Sequence, residues 1–164
     1  MAIPVAEMAG VLKAVRDKAA EAAPPAVMAM ADTYKEHLTR VTLRRSFAAP
    51  GQFGTPAAPG GPPAWRTGRL AASVTSRLSR AGGFSASAAV SPHVVYAATQ
   101  EHGGIHYARR AHYMHWINTG GSWYKKRVDI PARPYLRPAA EECIANGSLT
   151  RAAMVKWEEV VWGA

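Results

Sequence analysis

The densest cluster of potential metal ligands is a set of four histidines within 14 residues: His102, His106, His112 and His115. Their spacings, H-x3-H and H-x2-H, are found in zinc sites, where imidazole nitrogens bind the metal. Two glycines at 103–104 interrupt any helix that would align the first pair, and neither HExxH nor CxxC occurs in the sequence. We therefore interpret them as surface or hairpin histidines and predict neither a metal site nor a cofactor.

Groups that could perform acid–base or nucleophilic catalysis are scarce in the centre of the chain. Glu101 is the only acidic residue between His37 and Val128, so a two-carboxylate glycosidase site or a magnesium nuclease cluster lacks its ligands. The single cysteine, Cys143, falls at a packing position of a predicted helix. Neither GxSxG nor a GKS/GKT phosphate-binding loop is present. We therefore predict that the protein is not an enzyme and has no catalytic residues.

Positive charge is concentrated in the middle of the chain. The 164 residues carry 20 Lys+Arg and 11 Asp+Glu, a net charge of +9. Residues 37–128 hold twelve of the basic residues and one acid, which gives this segment +11 and leaves the two ends near neutral. Such a block favours nucleic acid, an acidic protein surface or an anionic membrane as partner. No apolar run approaches the roughly 20 residues of a membrane span, so a spanning segment is excluded. We also predict no membrane partner.

Hydrophobic periodicity predicts helices at the N-terminal end. Residues 4–23 carry apolar side chains at three- and four-residue spacing, and Pro24-Pro25 should end or kink this helix. A second helix is predicted from just after the prolines to about Phe47. Residues 48–64 contain five prolines and four glycines, a composition that excludes regular structure and predicts a long loop.

Alternating polar and apolar residues predict strands in the middle of the chain. Residues 70–78 and 84–90 flank Gly82-Gly83, which indicates a hairpin with Arg77 and Arg80 pointing away from its buried face. A short helix over 94–101 and a second hairpin, 112–118 with 122–130, should follow. Helices are predicted from Pro138 to about Asn146 and from Ser148, which would act as an N-cap, to the C-terminal end.

These elements give an α+β fold with a small antiparallel sheet of two hairpins packed by N-terminal and C-terminal helices. We interpret residues 1–164 as one domain. Its parts are a helical region at 1–47, the Pro/Gly-rich loop at 48–64, a β-rich region with a short helix at 65–130, and C-terminal helices at 131–164.

Three segments, in this order and spacing, carry a family resemblance. The first segment is 65–73 (WRTGRLAAS), the second is 95–104 (VYAATQEHGG) and the third is 130–139 (IPARPYLRPA). Together they resemble the neck and tail-completion proteins of tailed bacteriophages, including the lambdoid tail-component and Mu-type virion morphogenesis families. The motif residues that carry this resemblance, and that it places in the fold or at an interface, are Thr67, Gly68, Leu70, Tyr96, Glu101, Gly103, Gly104, Arg133, Pro134, Leu136 and Pro138.

The resemblance implies a ring-forming α+β protomer, commonly a hexamer, that ends the tail tube and joins it to the head connector. Its implied partners are copies of itself, the tail tube protein and the connector or stopper protein, with DNA passing through the channel without sequence-specific contact. The implied location is the virion neck, after assembly in the host bacterial cytoplasm. The alternative is a small basic module that binds DNA non-specifically, and a metal-dependent nuclease ranks third.

The resemblance also implies roles for single residues. Thr67 and Gly68 would set the turn into the first strand, and Tyr96 and Glu101 would lie on the short helix, facing the sheet or the next subunit. The glycines at 103–104 would permit positive φ, and the prolines at 134 and 138 would fix the start of the next helix. We expect most of the basic side chains to meet acidic surfaces of neighbouring virion proteins: Arg44, Arg45, Arg77, Arg80, Lys125, Lys126 and Arg127.

Overall fold

The computed structural model describes residues 5–45, 57–109, 112–118 and 121–163. The fold is α+β, as predicted, with antiparallel pairs of strands. The helices are α1 (Val5–Arg40), α2 (Arg69–Ala72), α3 (Ala97–His102), α4 (Leu136–Ala145) and α5 (Ser148–Trp162), with a 3-10 turn at Thr42–Arg44. The strands are β1 (Val74–Gly82), β2 (Ser85–Pro92), β3 (Gly104–Tyr107), β4 (Met114–Asn118), β5 (Gly121–Lys125) and β6 (Arg127–Ile130).

The prediction of two N-terminal helices is wrong, because α1 continues through Pro24 and Pro25 as one helix of 36 residues. Each proline lacks the N–H that a helix interior uses, so the carbonyls one turn earlier lose their usual donors. The side chains buried around this point are all alanines: Ala22, Ala23 and Ala26. We attribute the continuity to this close packing, which outweighs the local preference. Phe47, the expected end, lies outside the described residues.

The strands pair in three separate two-stranded sheets in the described part of the chain. The hairpin of β1 and β2 is confirmed, but residues 70–72 belong to α2, and β1 begins only at Val74. The second hairpin is confirmed for β4 and β5, with Met114 opposite Lys125. The prediction of one long second strand over 122–130 is wrong, because the strand is interrupted at Lys126. The part after Lys126, β6, pairs with β3, a strand that the sequence did not predict.

The Pro/Gly-rich loop and the last three helices agree with their predictions, apart from one N-cap. Residues 57–64 contain neither helix nor strand, as predicted for the Pro/Gly-rich loop, and residues 48–56 of that loop lie outside the described residues. Helices α3, α4 and α5 lie close to their predicted positions. The N-cap assignment is wrong: Ser148 is the first residue of α5, and its backbone N–H donates to Asn146 Oδ1 at 2.8 Å.

Contacts gather the chain into two compact units, each assembled from distant segments. The first unit contains residues 1–36, 75–91 and 142–164, and the second contains 37–74 and 92–141. In the first unit, Lys18 Nζ donates to the carbonyl of Val161 at 3.3 Å and ties α1 to α5. In the second, Tyr135 is the largest fully buried side chain. The division into units leaves the single-domain interpretation a prediction.

Cys143 lies in the core of the first unit, as predicted. Its side chain is fully buried, and burial raises the pKa of the thiol above its ordinary value. The Ser148 hydroxyl donates to the carbonyl of Cys143 at 3.2 Å, which links the end of α4 to the start of α5. A buried thiol with a raised pKa is a weak nucleophile, because little thiolate is present at neutral pH. None of the helices described here has the length and apolar character of a bilayer span.

The uninterrupted α1 predicts the effect of restoring its missing donors. Pro24→Ala and Pro25→Ala should each raise the free energy of unfolding by about 1–3 kcal/mol, because alanine supplies an N–H and has the highest helix propensity. Urea denaturation followed by circular dichroism measures this change. Pro59→Ala, in an exposed turn outside any helix, is the control and should give no comparable gain. A loss of stability in both helix variants would show that the proline rings themselves fill needed space.

Candidate interaction site

The carboxylate of Glu101 holds the N-terminus of α4. Its Oε2 accepts hydrogen bonds from the backbone N–H groups of Tyr135 at 2.8 Å and Leu136 at 3.0 Å. Its Oε1 accepts from the N–H of Arg137 at 3.4 Å. The first N–H groups of a helix lack partners within the helix, and the helix dipole favours negative charge there. Glu101 is 9% exposed, so these N–H groups replace the water that a buried carboxylate loses.

Further bonds join the second segment to the third beside this cap. The N–H of Arg133 donates to the carbonyl of Gln100 at 2.7 Å. The Tyr135 hydroxyl donates to the carbonyl of Ala97 at 3.4 Å. Residues 133–135 are therefore fixed against α3 along their backbone and by one buried ring, and the chain enters α4 in a single direction.

The Arg133 side chain connects the third segment to the end of the Pro/Gly-rich loop. It is 8% exposed, and its Nε donates to the carbonyl of Ala57 at 2.9 Å. Its Nη1 donates to the carbonyl of Pro131 at 3.4 Å. The N–H of Gly60 returns a bond to the carbonyl of Ala132 at 3.0 Å. Burial of a guanidinium requires such acceptors, so Arg133 is a structural side chain that anchors residues 57–60.

Gly103 lies where the second and third segments approach most closely. Its φ is +70°, and a Cβ built there would lie 2.7 Å from both the N of Ala132 and the carbonyl oxygen of Ile130. The next residue, Gly104, starts β3 opposite Ile130 in β6. The positive φ predicted for both glycines is confirmed, at +70° and +150°. Gly103 has a second requirement that the sequence did not reveal, the absence of space for any side chain.

The first segment forms one side of a cavity of about 340 Å³ in the second unit. Gly68, with φ of +72°, caps the one-turn helix α2, and a Cβ there would lie 2.8 Å from Cζ2 of Trp65. Trp65 in turn lies beneath the Arg44 guanidinium, 5.1 Å from ring centre to Cζ, a cation–π contact. The cavity is lined by side chains of all three segments, among them Trp65, Leu70, Tyr96, Gln100 and Arg133.

The structure thus brings together the motif residues that the sequence places far apart. Thr67 and Gly68 lie at the start of α2 and not at a turn into a strand, so that expectation is wrong. Tyr96 is the residue before α3, half-exposed at the cavity. Pro138 lies in the first turn of α4, as expected, and Pro134 lies two residues before that helix.

The basic residues proposed to face partners are all exposed, and they are divided between the two units. They are Arg44, Arg45, Arg77, Arg80, Lys125, Lys126 and Arg127. Lys126 lies over the ring of Tyr113, 5.6 Å from its centroid. Arg77 and Arg80 lie on β1 in the first unit, whereas the other five belong to the second unit.

The four histidines are exposed and serve local contacts where contacts are described. His115 stacks on Tyr124 across β4 and β5, with ring centroids 4.5 Å apart. His106 Nε2 is 3.2 Å from the Thr99 hydroxyl, within hydrogen-bonding distance. No group of three or more His, Cys, Asp or Glu side chains in the described ranges is arranged to hold a metal ion.

Sequence reasoning missed several residues that build this site. Trp65, Gln100 and Tyr135 belong to the three segments, but the sequence assigned them no structural role. Each contacts residues that are distant along the chain, and such contacts leave no periodic pattern in the sequence. Ala57 contributes only its backbone carbonyl, and because every residue has one, the sequence gives no sign of this contact. The side chain of Glu101 had a usable signal, since a lone acid in a basic region of a folded chain must find donors when it is buried.

The Glu101 cap predicts a graded loss of stability. Glu101→Ala leaves three N–H groups at the buried end of α4 without acceptors and should lower the free energy of unfolding by about 3 kcal/mol. Glu101→Gln keeps one good acceptor but removes the charge, and should lower it by about 1–2 kcal/mol. Chemical denaturation measures both. Glu141→Ala removes an exposed acid on α4 that pairs with Arg137 at 2.8 Å, and this control should cost under about 0.5 kcal/mol.

Gly103 predicts a local intolerance of side chains. Gly103→Ala should lower the free energy of unfolding by about 3 kcal/mol or more, because it combines an unfavourable φ with overlap against two backbone atoms. Gly82→Ala, where a Cβ meets nothing within 4 Å, is the control and should change stability little. Equal effects of the two substitutions would contradict the close approach. Thermal unfolding of both proteins makes the comparison.

Comparison with protein-family models, with curated proteins and with solved structures finds no match to this chain.

Proposed function

We propose that the chain is a structural protein of a tailed-phage neck, a tail terminator or tail-completion subunit. In this role copies of the chain form a ring that ends the tail tube and joins it to the head connector. The observation that carries the proposal is the mutual packing of the three segments that resemble this family. Glu101 of the second segment caps α4, the helix that begins in the third segment. Residues of all three segments line one cavity.

The chemistry of this packed region supports a structural role. Both oxygens of its buried carboxylate accept backbone N–H groups, and the guanidinium of Arg133 donates to two carbonyls. Both charged groups therefore hold backbone segments in place, which is a structural role. The cavity walls are largely apolar, with arginines around them, as expected for a surface that receives another protein.

The first turns of α1 also favour an assembling protein. Four apolar side chains spaced i, i+3, i+4 and i+7 are 39–64% exposed: Met8, Val11, Leu12 and Val15. Spacing of this kind places all four on one helix face. A contiguous exposed apolar face marks an interaction surface. A ring subunit that contacts both neighbours and the adjacent layers of the neck needs surfaces of this type.

A second candidate, the non-specific DNA-binding module, is favoured by one specific observation. The exposed basic residues at 125–127 lie beside exposed aromatic rings of the second unit, Tyr113 and Tyr124. Basic side chains bind phosphates, and aromatic rings stack on bases of single strands. We rank this candidate second, because it assigns no role to the packed motif segments.

Deletion of the coding sequence from its source genome tests the proposed function. Electron microscopy of the particles produced should show filled heads and unjoined tails, with tails of irregular length. Supplying the wild-type chain from a plasmid should restore joined particles, whereas Glu101→Ala should restore few. Normal joined particles in the deletion strain would overturn the proposal.

A DNA-binding measurement separates the two candidates. The neck protein should bind a short duplex weakly, and its oligomeric mass by light scattering should not depend on DNA. A monomer whose DNA affinity falls steeply with salt, and is lost in the Lys125→Glu/Lys126→Glu/Arg127→Glu variant, would instead support the DNA-binding module. The matched control reverses three exposed basic residues outside this group, Lys13→Glu/Arg16→Glu/Arg137→Glu.

A further inference from the structure

We propose that copies of this chain associate head to tail through two surfaces of different kind. The C-terminal end of α5 on one copy docks into the cavity beside the first segment on the next copy. The ring that such contacts would close rests on the proposed function. The pairwise contact depends only on the two surfaces and can be measured without that function.

The receiving surface is the cavity of about 340 Å³ lined by the first segment. The apolar walls of the cavity are formed by Leu43, Pro63, Trp65 and Leu70. An apolar side chain that enters the cavity is therefore removed from water, which is favourable. Arg66 and Arg69 line it as well, and both are exposed. Among the described residues, neither guanidinium forms an ion pair. An apolar pocket with two unpaired cations at its rim fits an apolar group adjacent to a carboxylate.

The donated surface is a face of α5 formed by Val155, Glu158 and Trp162. These residues are spaced i, i+3 and i+7 and therefore share one side of the helix. Val155 is 65% exposed and Trp162 is 68% exposed. An exposed indole at this level leaves a large apolar surface in water, and tryptophan is enriched among residues that carry binding energy. This face thus presents two apolar groups with an acid between them.

The end of α5 carries an electrostatic mismatch that a cationic partner would correct. Glu158 and Glu159 lie in its last turns, close to the negative end of the helix dipole, where acidic side chains are unfavourable. Lys156 pairs with Glu159 at 2.7 Å and offsets one of them. Within the described residues Glu158 has no such pair. Placing it against Arg66 and Arg69 of another copy would satisfy both surfaces.

The shape of the helix end permits insertion. Helix α5 ends at Trp162, and Gly163 adopts the left-handed conformation, with its N–H donating to the carbonyl of Glu159 at 3.0 Å. The chain therefore turns off the helix axis directly after the indole. Since the two surfaces differ and belong to the same chain, the contact repeats head to tail, which is how cyclic rings are generated.

Complementary defective variants test the contact on the full-length chain. Trp162→Ala removes the donated group, and Arg66→Glu/Arg69→Glu reverses the receiving rim. Each variant should raise the Kd for self-association about tenfold or more, measured by sedimentation velocity. An equimolar mixture retains one intact contact, an undamaged cavity with an undamaged α5. It should therefore form a species of two subunits and nothing larger.

Charge reversal in both surfaces gives a second readout. Glu158→Arg should weaken association, and combining it with Arg66→Glu/Arg69→Glu in the same chain should restore it. The controls are Ile144→Ala, which removes an apolar side chain that is also 68% exposed, and Glu21→Arg, which makes the same charge change at an exposed position of α1 beyond its apolar first turns. Both controls should associate as the wild type does. Circular dichroism establishes that each variant is folded.

The outcomes separate this contact from the proposed function. A wild-type chain that stays monomeric, variants that associate like the wild type, or a mixture that stays monomeric would each overturn the contact. The last two results would leave the neck function standing if particles of the deletion strain are unjoined. A two-subunit mixture together with normal particles in that strain would support the contact and overturn the function.

Discussion

The capping of α4 by Glu101 is the interaction on which the second unit depends. A carboxylate from α3 satisfies three N–H groups at a helix start 34 residues later, so it closes a long loop with charge-assisted bonds in a buried setting. Fixing the start of α4 also fixes residues 131–135. The inward position of Arg133 follows, and with it the bonds to Ala57 that hold the end of the Pro/Gly-rich loop.

Short-range sequence patterns predicted those elements that are stabilised mainly by interactions between residues close together in the chain. The hairpins followed from alternation around glycine turns, and α3, α4 and α5 followed from apolar spacing between glycines. The continuity of α1 through Pro24 and Pro25 was not predictable from the sequence. The alanines beside the prolines stabilise the helix only when another part of the protein packs on them, and the local sequence does not show that packing. Strand β3 was missed because it has four residues and pairs with a strand 23 residues away along the chain.

The site was predictable as a set of segments but not as an arrangement. The resemblance selected Glu101, Gly103 and Arg133, and it implied a helix face for Glu101, a positive φ for Gly103 and a place in the fold or at an interface for Arg133. Their observed roles all concern backbone: a carboxylate on N–H groups, an absent Cβ beside a carbonyl, and a guanidinium on carbonyls. Backbone atoms are the same at every position, so no residue pattern in the partner strand or loop reveals such contacts.

The burial of Cys143 makes site-specific labelling possible. It is the single cysteine of the chain, its thiol is buried, and its raised pKa keeps the thiolate fraction low at neutral pH. Maleimide reagents, which react with accessible thiolates, should therefore not label it. A cysteine placed at an exposed position can therefore carry a fluorophore or spin label without first removing the native one. Distances between chosen points on neighbouring copies then become measurable in an otherwise unaltered protein.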